Sequence, residues 1–506
     1  MTDLASTAGV KSEASQARIL GSWPVAAAIV IAAMAQQAIG HIDGDDSWFI
    51  TFAEKILDGA RAYVDVSDPN PPAGFLAYMP AVIAARWCGL RAEAGVVVEI
   101  LLAVLASLAL SGAIMRRAHL IGDDEVGLWR NAALWIFLFA AGFGFAEREH
   151  FAVLACLPLL AAMSARGAHG AASAPQAVAA GVCGGVALAF KPYYALPLAA
   201  AALVACLRRR SLAPLAAPEN FIAVATFVAY LALVRFAYPD YVTQVLPLAV
   251  EVYAPARHAM SEVLASPPFL FNLALIAAFS GASRILGADW RATALAVASA
   301  GFLAAYVIQA KIWFNHAYPG IALGALACVV LATGRRAAAP EAAACFARLC
   351  VAPALVCAPF FAAVTINLTG AEEYPGLTAA VRANAPTHPK IAALAQQLDV
   401  GHPLTRRLDG TWIGTQNALW IDNCVRQILV ATHVAGVARE RLLGYAQAER
   451  TQLAADLAKG SPDVVLVESA ALRKWAESKA EFAGLLDGFV RKAQVGDIEV
   501  WARVAP

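Results

Sequence analysis

Long apolar segments occupy most of residues 20–368 and restrict what this chain can fold into. The first runs from Leu20 to Ile42, and its length of about 20 residues is enough to cross the hydrocarbon core of a bilayer. Others follow at roughly 73–90, 94–115, 128–146, 151–165, 176–190, 193–207, 219–237, 268–286, 291–309, 313–333 and 349–368. Only 15% of all residues are charged, against about 25% in soluble domains. The sequence therefore predicts a polytopic α-helical membrane protein.

Arginine clusters predict the orientation of these segments, because cytoplasmic loops carry an excess of Lys and Arg. The clusters are Arg116 with Arg117 and Arg130, Arg166, Arg208–Arg210, Arg284 with Arg291, and Arg335 and Arg336 with Arg348. All fall on one side if residues 1–19 form a cytoplasmic tail and segment 73–90 does not cross. That segment contains Pro80, Arg86 and Trp87, which favours an amphipathic or re-entrant helix on the outer leaflet. About eleven transmembrane helices plus juxtamembrane helices remain, with the C-terminus outside.

Residues 369–506 are more polar and predict a small extracytoplasmic α/β domain. Short apolar strands are expected at 462–468 and 498–504, and helices at 378–398, 434–459 and 470–490. Alternating helices and strands are typical of an α/β domain. No phosphate-binding loop and no nucleophile–base pair is recognisable in it, so acceptor binding and a lid are both open as its role.

Charge and cysteine content exclude two other classes of function. The net charge of +1 gives no sign of nucleic-acid binding. Of nine cysteines, all but Cys424 lie in or beside apolar runs, and there is no disulfide framework and no CxxC pair for a metal. The cysteines are therefore predicted to pack within the membrane.

The loop from His41 to Phe75 is unusually acidic. Only Lys55 and Arg61 oppose its seven carboxylates, which are Asp43, Asp45, Asp46, Glu54, Asp58, Asp65 and Asp68. Carboxylates held beside a bilayer lose hydration at a cost in free energy. Such a loop therefore favours a functional site over a tether, with an ordinary solvated loop as the alternative.

Part of this loop has helical periodicity. Apolar side chains recur at helical spacing in Trp48, Phe49, Phe52, Ile56 and Leu57, which predicts an interfacial helix that begins after Asp46 and ends at Gly59. Helix capping is the structural alternative for Asp45 and Asp46, although one cap needs only one carboxylate. The aromatic stripe is most simply explained by membrane anchoring.

The predicted outer face also receives several other polar clusters. They are Glu147–His150, Lys191–Tyr194, the loop 238–267 and the segment Gln309–His316. A single charge at the end of a span is usually snorkelling or ion-paired structure. Clusters of both signs on one face, without a counterpart in the inner loops, indicate that any chemistry is on the outside.

Three stretches of the acidic loop resemble a known family. The run Asp45–Ala53, followed by Ala62–Asp65 and Asp68–Pro72, is similar to the first outer loop of GT-C glycosyltransferases. The bacterial branch of protein O-mannosyltransferases and lipid A aminoarabinose transferases has an acidic pair, an aromatic helix, a Tyr-Asp element and a Pro-Pro. The resemblance covers roughly residues 20–368, and it too implies that the segment after Pro-Pro lies beside the membrane.

The resemblance implies an enzyme that moves a sugar from a polyprenyl-phosphate donor to an acceptor hydroxyl of a glycan, lipid or protein. Asp45 would be the general base on the acceptor, and a single displacement would invert the anomeric centre. Three roles are open for Asp46: orienting Asp45, raising its pKa through like charge, or binding acceptor or metal. The implied localisation is a bacterial inner membrane, with the site facing the periplasm.

The departing lipid phosphate needs positive donors, because its negative charge grows as the glycosidic bond breaks. Candidates on the predicted outer face are Arg148, Lys191, Lys311 and His316, with His150 and Arg257 as further options. Arg148 is preferred, because a guanidinium binds phosphate in a bidentate fashion.

The sequence departs from the family in two places. Asn70 stands where many relatives carry a charged residue, and Glu149-His150 stands where an aspartate is usual. Glu149, His150, Asp65 and Asp68 are candidate acceptor or metal ligands. The sequence requires no cofactor, and a divalent ion (Mg²⁺ or Mn²⁺) is an open alternative. Equally open is a structural role in which His150 bonds to Glu147 or to the backbone.

Two other classes of function remain as alternatives. The first is a transporter or flippase of lipid-linked saccharides, although neither a clear internal repeat nor a carboxylate deep within the spans is seen. The second is a non-enzymatic envelope assembly protein anchored by its spans, which would leave the acidic loop unexplained.

Overall fold

The computed structural model of the protein describes residues 19–40, 42–333 and 374–504. The chain divides into two compact units. One comprises Met1–Ile39, Val97–Leu231 and His258–Ile366, and the other Gly40–Val96, Ala232–Arg257 and Asn367–Pro506. We call them the first and the second unit. The apolar stretch 349–368 lies outside the described residues, and the predicted domain boundaries near 19 and 368 stay predictions.

The first unit is helical. It holds α1 (Trp23–Ile39), most of α5 (Ala92–Arg117), α6 (Asp123–Leu134), α7 (Arg148–Gly167), α8 (Ala174–Phe190), α9 (Ala195–Arg209), most of α10 (Pro218–Ala237), α12 (Met260–Ala265), α13 (Pro267–Leu286), α14 (Trp290–Gln309) and α15 (Phe314–Thr333). Within the described residues, α5, α7, α10, α13, α14 and α15 are each long and apolar enough to cross a membrane. Except for 128–146, each predicted span in the described part of this unit corresponds to an α-helix, although α1, α8 and α9 are shorter than these six.

The predicted span 128–146 is not a single α-helix. It consists of the end of α6, a π-helical turn over Trp135–Phe139 and a 3₁₀ turn over Gly142–Gly144. Two glycines lie at this break, and a residue without a side chain is a poor helix former. Apolar character alone could not reveal the interruption.

Close packing of small residues holds the helices of the first unit together. A Cβ atom added to Gly185 of α8 would lie 2.4 Å from Cβ of Thr226 in α10. Such close approaches allow van der Waals contact between helices where lipid supplies no hydrophobic driving force. Helices α7 and α15 are buried along most of their length and form the centre of this unit.

The second unit contains the acidic loop, with α2 (Gly44–Leu57), α3 (Ala73–Leu76) and α4 (Met79–Cys88). Helix α2 begins at Gly44 rather than after Asp46, because Asp43 is its N-cap and accepts the Asp45 N–H at 2.9 Å. The predicted membrane-anchoring stripe is wrong. Trp48, Phe49 and Phe52 are at most 1% exposed, and they pack against other aromatic rings of the same unit, so they form a core.

Residues 374–504 add a five-stranded sheet to the second unit. Its strands are β1 (Lys390–Leu394), β2 (Thr411–Trp412), β3 (Val464–Val467), β4 (Phe489–Val495) and β5 (Ile498–Arg503), in the order β2-β1-β3-β5-β4. Strand β1 is parallel to β2 and β3, whereas β5 is antiparallel to β3 and β4. The predicted strands at 462–468 and 498–504 are thus confirmed, and so is the mixed α/β character of this region.

The helices around the sheet are α16 (Leu377–Asn384), α17 (Leu404–Arg407), α18 (Trp420–Ala431), α19 (Gly436–Gly460) and α20 (Ala470–Glu477). The remaining short helix, α11, covers Leu246–Leu248. The prediction at 434–459 is confirmed by α19. The predicted helix at 378–398 is wrong beyond Asn384, because the buried run after Pro389 pairs with two strands as β1. A short apolar run is ambiguous between a buried helix and a buried strand.

Candidate active site

Asp45 and Asp46 lie in the first turn of α2, and capping does not account for either of them. Asp43 caps the helix. Helix capping, which was the structural alternative for Asp45 and Asp46, is therefore the role of a different residue. Carboxylates in the first turn also interact favourably with the helix dipole. Asp45 is partly exposed, whereas Asp46 is 1% exposed. The two acids therefore have different environments despite being neighbours.

Asp46 is held by Tyr78, which immediately precedes α4. The Tyr78 hydroxyl donates a hydrogen bond to Asp46 Oδ1 at 2.7 Å. Tyr78 is itself fully buried and stacks on Phe49, with ring centroids 5.8 Å apart. A hydrogen bond to a buried carboxylate stabilises its charged form and restricts its orientation. This contact favours an orienting role for Asp46.

Asp68 and Asp65, both candidates for acceptor or metal binding, are engaged within the loop. Asp68 Oδ2 accepts the Trp48 Nε1–H at 2.9 Å, and Oδ1 accepts both the backbone N–H and the side-chain amide of Asn70. Asp65 is exposed, and the backbone N–H of Arg61, donating to its carboxylate, lowers the pKa of Asp65. Asp68 thus connects α2 to the chain before α3, and Asp65 closes a surface turn.

The second unit contains two contacts near α2 that sequence reasoning missed. Ser47 Oγ lies 3.2 Å from Nδ1 of His402, and burial lowers the pKa of His402 to about 3. Arg406 forms a bidentate pair with Glu54 and also bonds to Glu93 Oε1 at 2.9 Å. These partners are more than 300 positions apart in the sequence, so no local pattern indicates them.

In the first unit, four helix ends meet around a buried ion cluster. Glu149 is in the first turn of α7, Lys191 follows α8, Gln309 ends α14, and His316 is in the first turn of α15. The side chain at the end of α8 contacts those at the starts of α7 and α15 and at the end of α14. All four termini therefore lie on the same side of the unit. The structure therefore brings together three of the clusters that the sequence placed on one face.

Lys191 is the centre of this cluster. Its Nζ donates to Glu149 Oε1, to Gln309 Oε1 at 2.9 Å, and lies 3.0 Å from His316 Nε2. His316 Nε2 is also 3.3 Å from Glu149 Oε1. Glu149 is completely buried and Lys191 nearly so. A charge at this depth requires an opposite charge, and Glu149 provides it for Lys191.

The other candidates of the first unit surround this pair. Arg148 is 5% exposed, and its Nη2 lies 3.7 Å from Glu147 Oε2. Lys311 is also buried and close enough to His316 to interact with it electrostatically. The cluster contains three cations, Arg148, Lys191 and Lys311, and two carboxylates, Glu147 and Glu149. Its net charge is therefore +1 before His316 is counted.

The side chains of Glu149 and His150 point in different directions. The His150 Nδ1 accepts the backbone N–H of Ala146 at 3.2 Å, and its ring packs against Phe145 and Tyr318. Adjacent helical residues point about 100° apart. The structural role considered for His150, bonding to the backbone before α7, is the one observed. In the part of the chain that the structure describes, no group of three or more His, Cys, Asp or Glu side chains could hold a metal ion.

The apolar helices and the small C-terminal sheet define a polytopic helical membrane protein. No protein-family model matches the chain, and no curated protein matches it. The fold is similar to that of a solved structure, the crystal structure of ArnT from Cupriavidus metallidurans in the apo state. The two chains superpose with a TM-score of 0.56 and 15% sequence identity, and the match covers 95% of this chain and 97% of that one. Identity this low establishes the likeness of fold and nothing about activity.

Proposed function

We propose that the protein is a GT-C-type membrane glycosyltransferase that transfers a sugar from a polyprenyl-phosphate donor to an acceptor hydroxyl on the extracytoplasmic face. The observation that carries this proposal is the capping of α2 by Asp43. It leaves two carboxylates in a first helical turn without a capping role, in the stretch that resembles the acidic pair of GT-C enzymes.

Asp45 is the general base of the proposed reaction. Its carboxylate takes the proton of the acceptor hydroxyl as the oxygen attacks the anomeric carbon, and the bond from that carbon to the phosphate oxygen breaks. One displacement inverts the anomeric centre. Asp46, buried and bonded to Tyr78, is a positioning residue that fixes the first turn of α2.

For the phosphate of the lipid donor, we propose the cluster of the first unit as the binding site. Arg148, Lys191 and Lys311 are the proposed donors, and His316 contributes a further polar contact. Among the described residues, His316 Nδ1 is buried without a hydrogen-bond partner. Buried polar atoms are rarely left unsatisfied in a native protein, and this supports a polar ligand at the cluster.

Glu149 is therefore proposed as the counter-ion that holds Lys191 in place when no donor is bound. A lipid phosphate entering the cluster would compete with Glu149 for Lys191 Nζ. We propose no metal ion for this step, because the cations of the chain itself supply the charge.

The experiment uses full-length protein purified in detergent. Mass spectrometry of the copurifying lipid first identifies the donor, and an isolated polyprenyl-phosphate monosaccharide is the expected result. Release of polyprenyl phosphate is then measured for Asp45→Asn. We expect turnover to fall by at least about a hundredfold, as is usual when a general base is removed, with donor binding retained.

Asp58→Asn is the matched control, because it makes the same change at an exposed acid of the same loop, where Asp58 pairs with Arg86. It should keep full turnover. A flippase would continue to translocate lipid-linked sugar after Asp45→Asn, and an assembly protein would be indifferent to it. Either outcome would refute the enzymatic proposal.

A further inference from the structure

A large apolar cavity lies in the first unit, lined by residues of α1, α5, α6, α7, α14 and α15. Its volume is about 770 Å³, which is within the range of small-molecule binding pockets. The lining includes Trp23, Leu105, Leu157 and Leu326. The proposed donor site does not use any of these residues. An apolar cavity does not hold water well and is suited to a hydrocarbon ligand.

Among the described residues that line the cavity, the charged ones are all arginines. They are Arg116, Arg130 and Arg291, and no carboxylate is among them. The guanidinium of Arg130 lies 3.7 Å above the Trp23 ring, and its Nη2 bonds to the backbone of Gly21. These contacts fix one wall of the cavity.

Arg291 and Arg116 differ in their partners. Arg291 pairs with Asp289 and Glu125. Arg116 is exposed, and no carboxylate of the described residues forms an ion pair with it. Arg130 has no carboxylate partner among the described residues either, but it is held by the Trp23 ring and by backbone oxygens, whereas Arg116 is the exposed arginine of the lining and can bind an external anion. Arg291 and Arg116 both sit at the end of the unit that the arginine clusters predict to face the cytoplasm.

A polar atom also faces the interior of this region. Ser111 lines the cavity one helical turn from Met115, and its Oγ is buried without a hydrogen-bond partner among the described residues. A buried hydroxyl of this kind is normally bonded. An ester group next to an acyl chain would supply the missing acceptor.

We propose that this cavity binds an anionic glycerophospholipid. One acyl chain occupies the apolar interior, the ester carbonyl accepts the Ser111 hydroxyl, and Arg116 binds the headgroup phosphate and favours a headgroup that carries no cation of its own. Basic pockets between transmembrane helices on the cytoplasmic side are a known chemistry for anionic headgroups. The inference does not depend on the proposed glycosyl transfer.

Gly112 makes the proposal testable without disturbing the fold. It lines the cavity, and a Cβ atom added to it meets nothing within 4 Å. Gly112→Leu therefore places an apolar side chain inside the cavity and narrows it, and it also improves helix propensity. Gly281→Leu in α13 is the matched control, because its added Cβ is equally free and the residue does not line the cavity.

The experiment is native mass spectrometry of full-length protein extracted from vesicles that contain equal amounts of phosphatidylglycerol and phosphatidylcholine. The unchanged protein and Gly281→Leu should retain one phosphatidylglycerol. Gly112→Leu should retain none. Arg116→Gln should lower the preference for phosphatidylglycerol about tenfold, the equivalent of about 1.4 kcal/mol, within the range of a hydrogen bond to a charged group.

Three outcomes would overturn the proposal. The first is equal retention by Gly112→Leu and Gly281→Leu, which would place the lipid elsewhere. The second is equal retention of the two phospholipids by the unchanged protein, which would leave no role for the arginine. The third is the absence of any retained phospholipid, or its replacement by a polyprenyl lipid, which would assign the cavity to another occupant.

Discussion

The Tyr78 hydroxyl donates to Asp46 Oδ1 over 2.7 Å, and so the residue that precedes α4 holds the first turn of α2. The two residues are 32 positions apart, and both are buried. Removing one partner of a buried charged hydrogen bond leaves the other without compensation. The orientation of Asp46 therefore depends on the packing of α4.

Tyr78→Phe tests this relationship. Loss of the hydroxyl should lower the free energy of unfolding by about 1.5–3 kcal/mol, the range for a hydrogen bond to a charged group. Thermal unfolding of the detergent-solubilised protein should show it as a lower Tm, together with a lower turnover. Tyr445→Phe is the control, because its hydroxyl lies 3.4 Å from Glu251, a long and weak contact. A change of equal size in both variants would contradict the assigned role of Tyr78.

The Glu149–Lys191 pair should behave as a unit. Glu149→Gln or Lys191→Met alone leaves one buried charge without its partner, and each should cost about 3–5 kcal/mol of stability. The double variant removes both charges and should be more stable than either single one. The readout is the Tm of each member of the cycle. Arg86→Gln with Asp58→Asn, an exposed pair, provides an additive reference, and additivity at Glu149–Lys191 would show that the pair is not coupled.

Arg148 tests the donor side of the proposed reaction. Arg148→Ala should weaken binding of a polyprenyl-phosphate sugar, and Arg148→Lys should recover only part of it, because a lysine cannot form the bidentate contact. The dissociation constant of the donor is the measurement. Unchanged affinity in both variants would remove Arg148 from the phosphate site.

Because His402 is buried in its neutral form, we expect the second unit to lose stability in acid. Burial, with Arg406 and Lys55 adding positive charge, lowers the pKa of His402 to about 3 in the folded chain. Its ordinary value is about 6.5. The stabilising effect of keeping the ring neutral is therefore complete above pH 6.5 and is lost as the pH falls toward 3. At pH 5 the loss should be about 2 kcal/mol.

The measurement is Tm between pH 7 and pH 5 for the unchanged protein and for His402→Asn, which keeps a polar group near Ser47 but does not titrate. The variant should show the smaller decrease. His388→Asn is the matched control at an exposed histidine, and it should follow the unchanged protein. Identical pH profiles for all three would exclude His402 as the source of acid sensitivity.

The sequence was sufficient where a signal is local. Apolar length predicted the helices of the first unit, and the compact strand Val464–Val467 was recognisable from its own residues. The acidic pair followed by an aromatic helix pointed to the GT-C-like fold. The roles assigned to Asp45, Lys191 and the other candidate residues stay predictions.

Local signals failed where packing decides. Trp48 and Phe49 have the periodicity of a membrane-facing stripe, yet they are buried among rings that come from other segments. The run in β1 was indistinguishable from a helix until its partners β2 and β3 were known. Ser47 and His402 are in contact but lie 355 positions apart in the sequence. The residues around either one do not indicate a contact over such a distance.

The cap of α2 has a consequence for how this stretch can change over time. Asp43 secures the beginning of the helix through an acceptor oxygen that Ser, Thr or Asn would supply equally well. Substitution of Asp43 by one of these residues should therefore cost little stability. The carboxylates of Asp45 and Asp46, in contrast, have no role in the cap. Within four consecutive residues, the cap of the helix and the two acids of the proposed site are thus different side chains, so Asp43→Ser or Asp43→Asn can test the cap while Asp45 and Asp46 are kept.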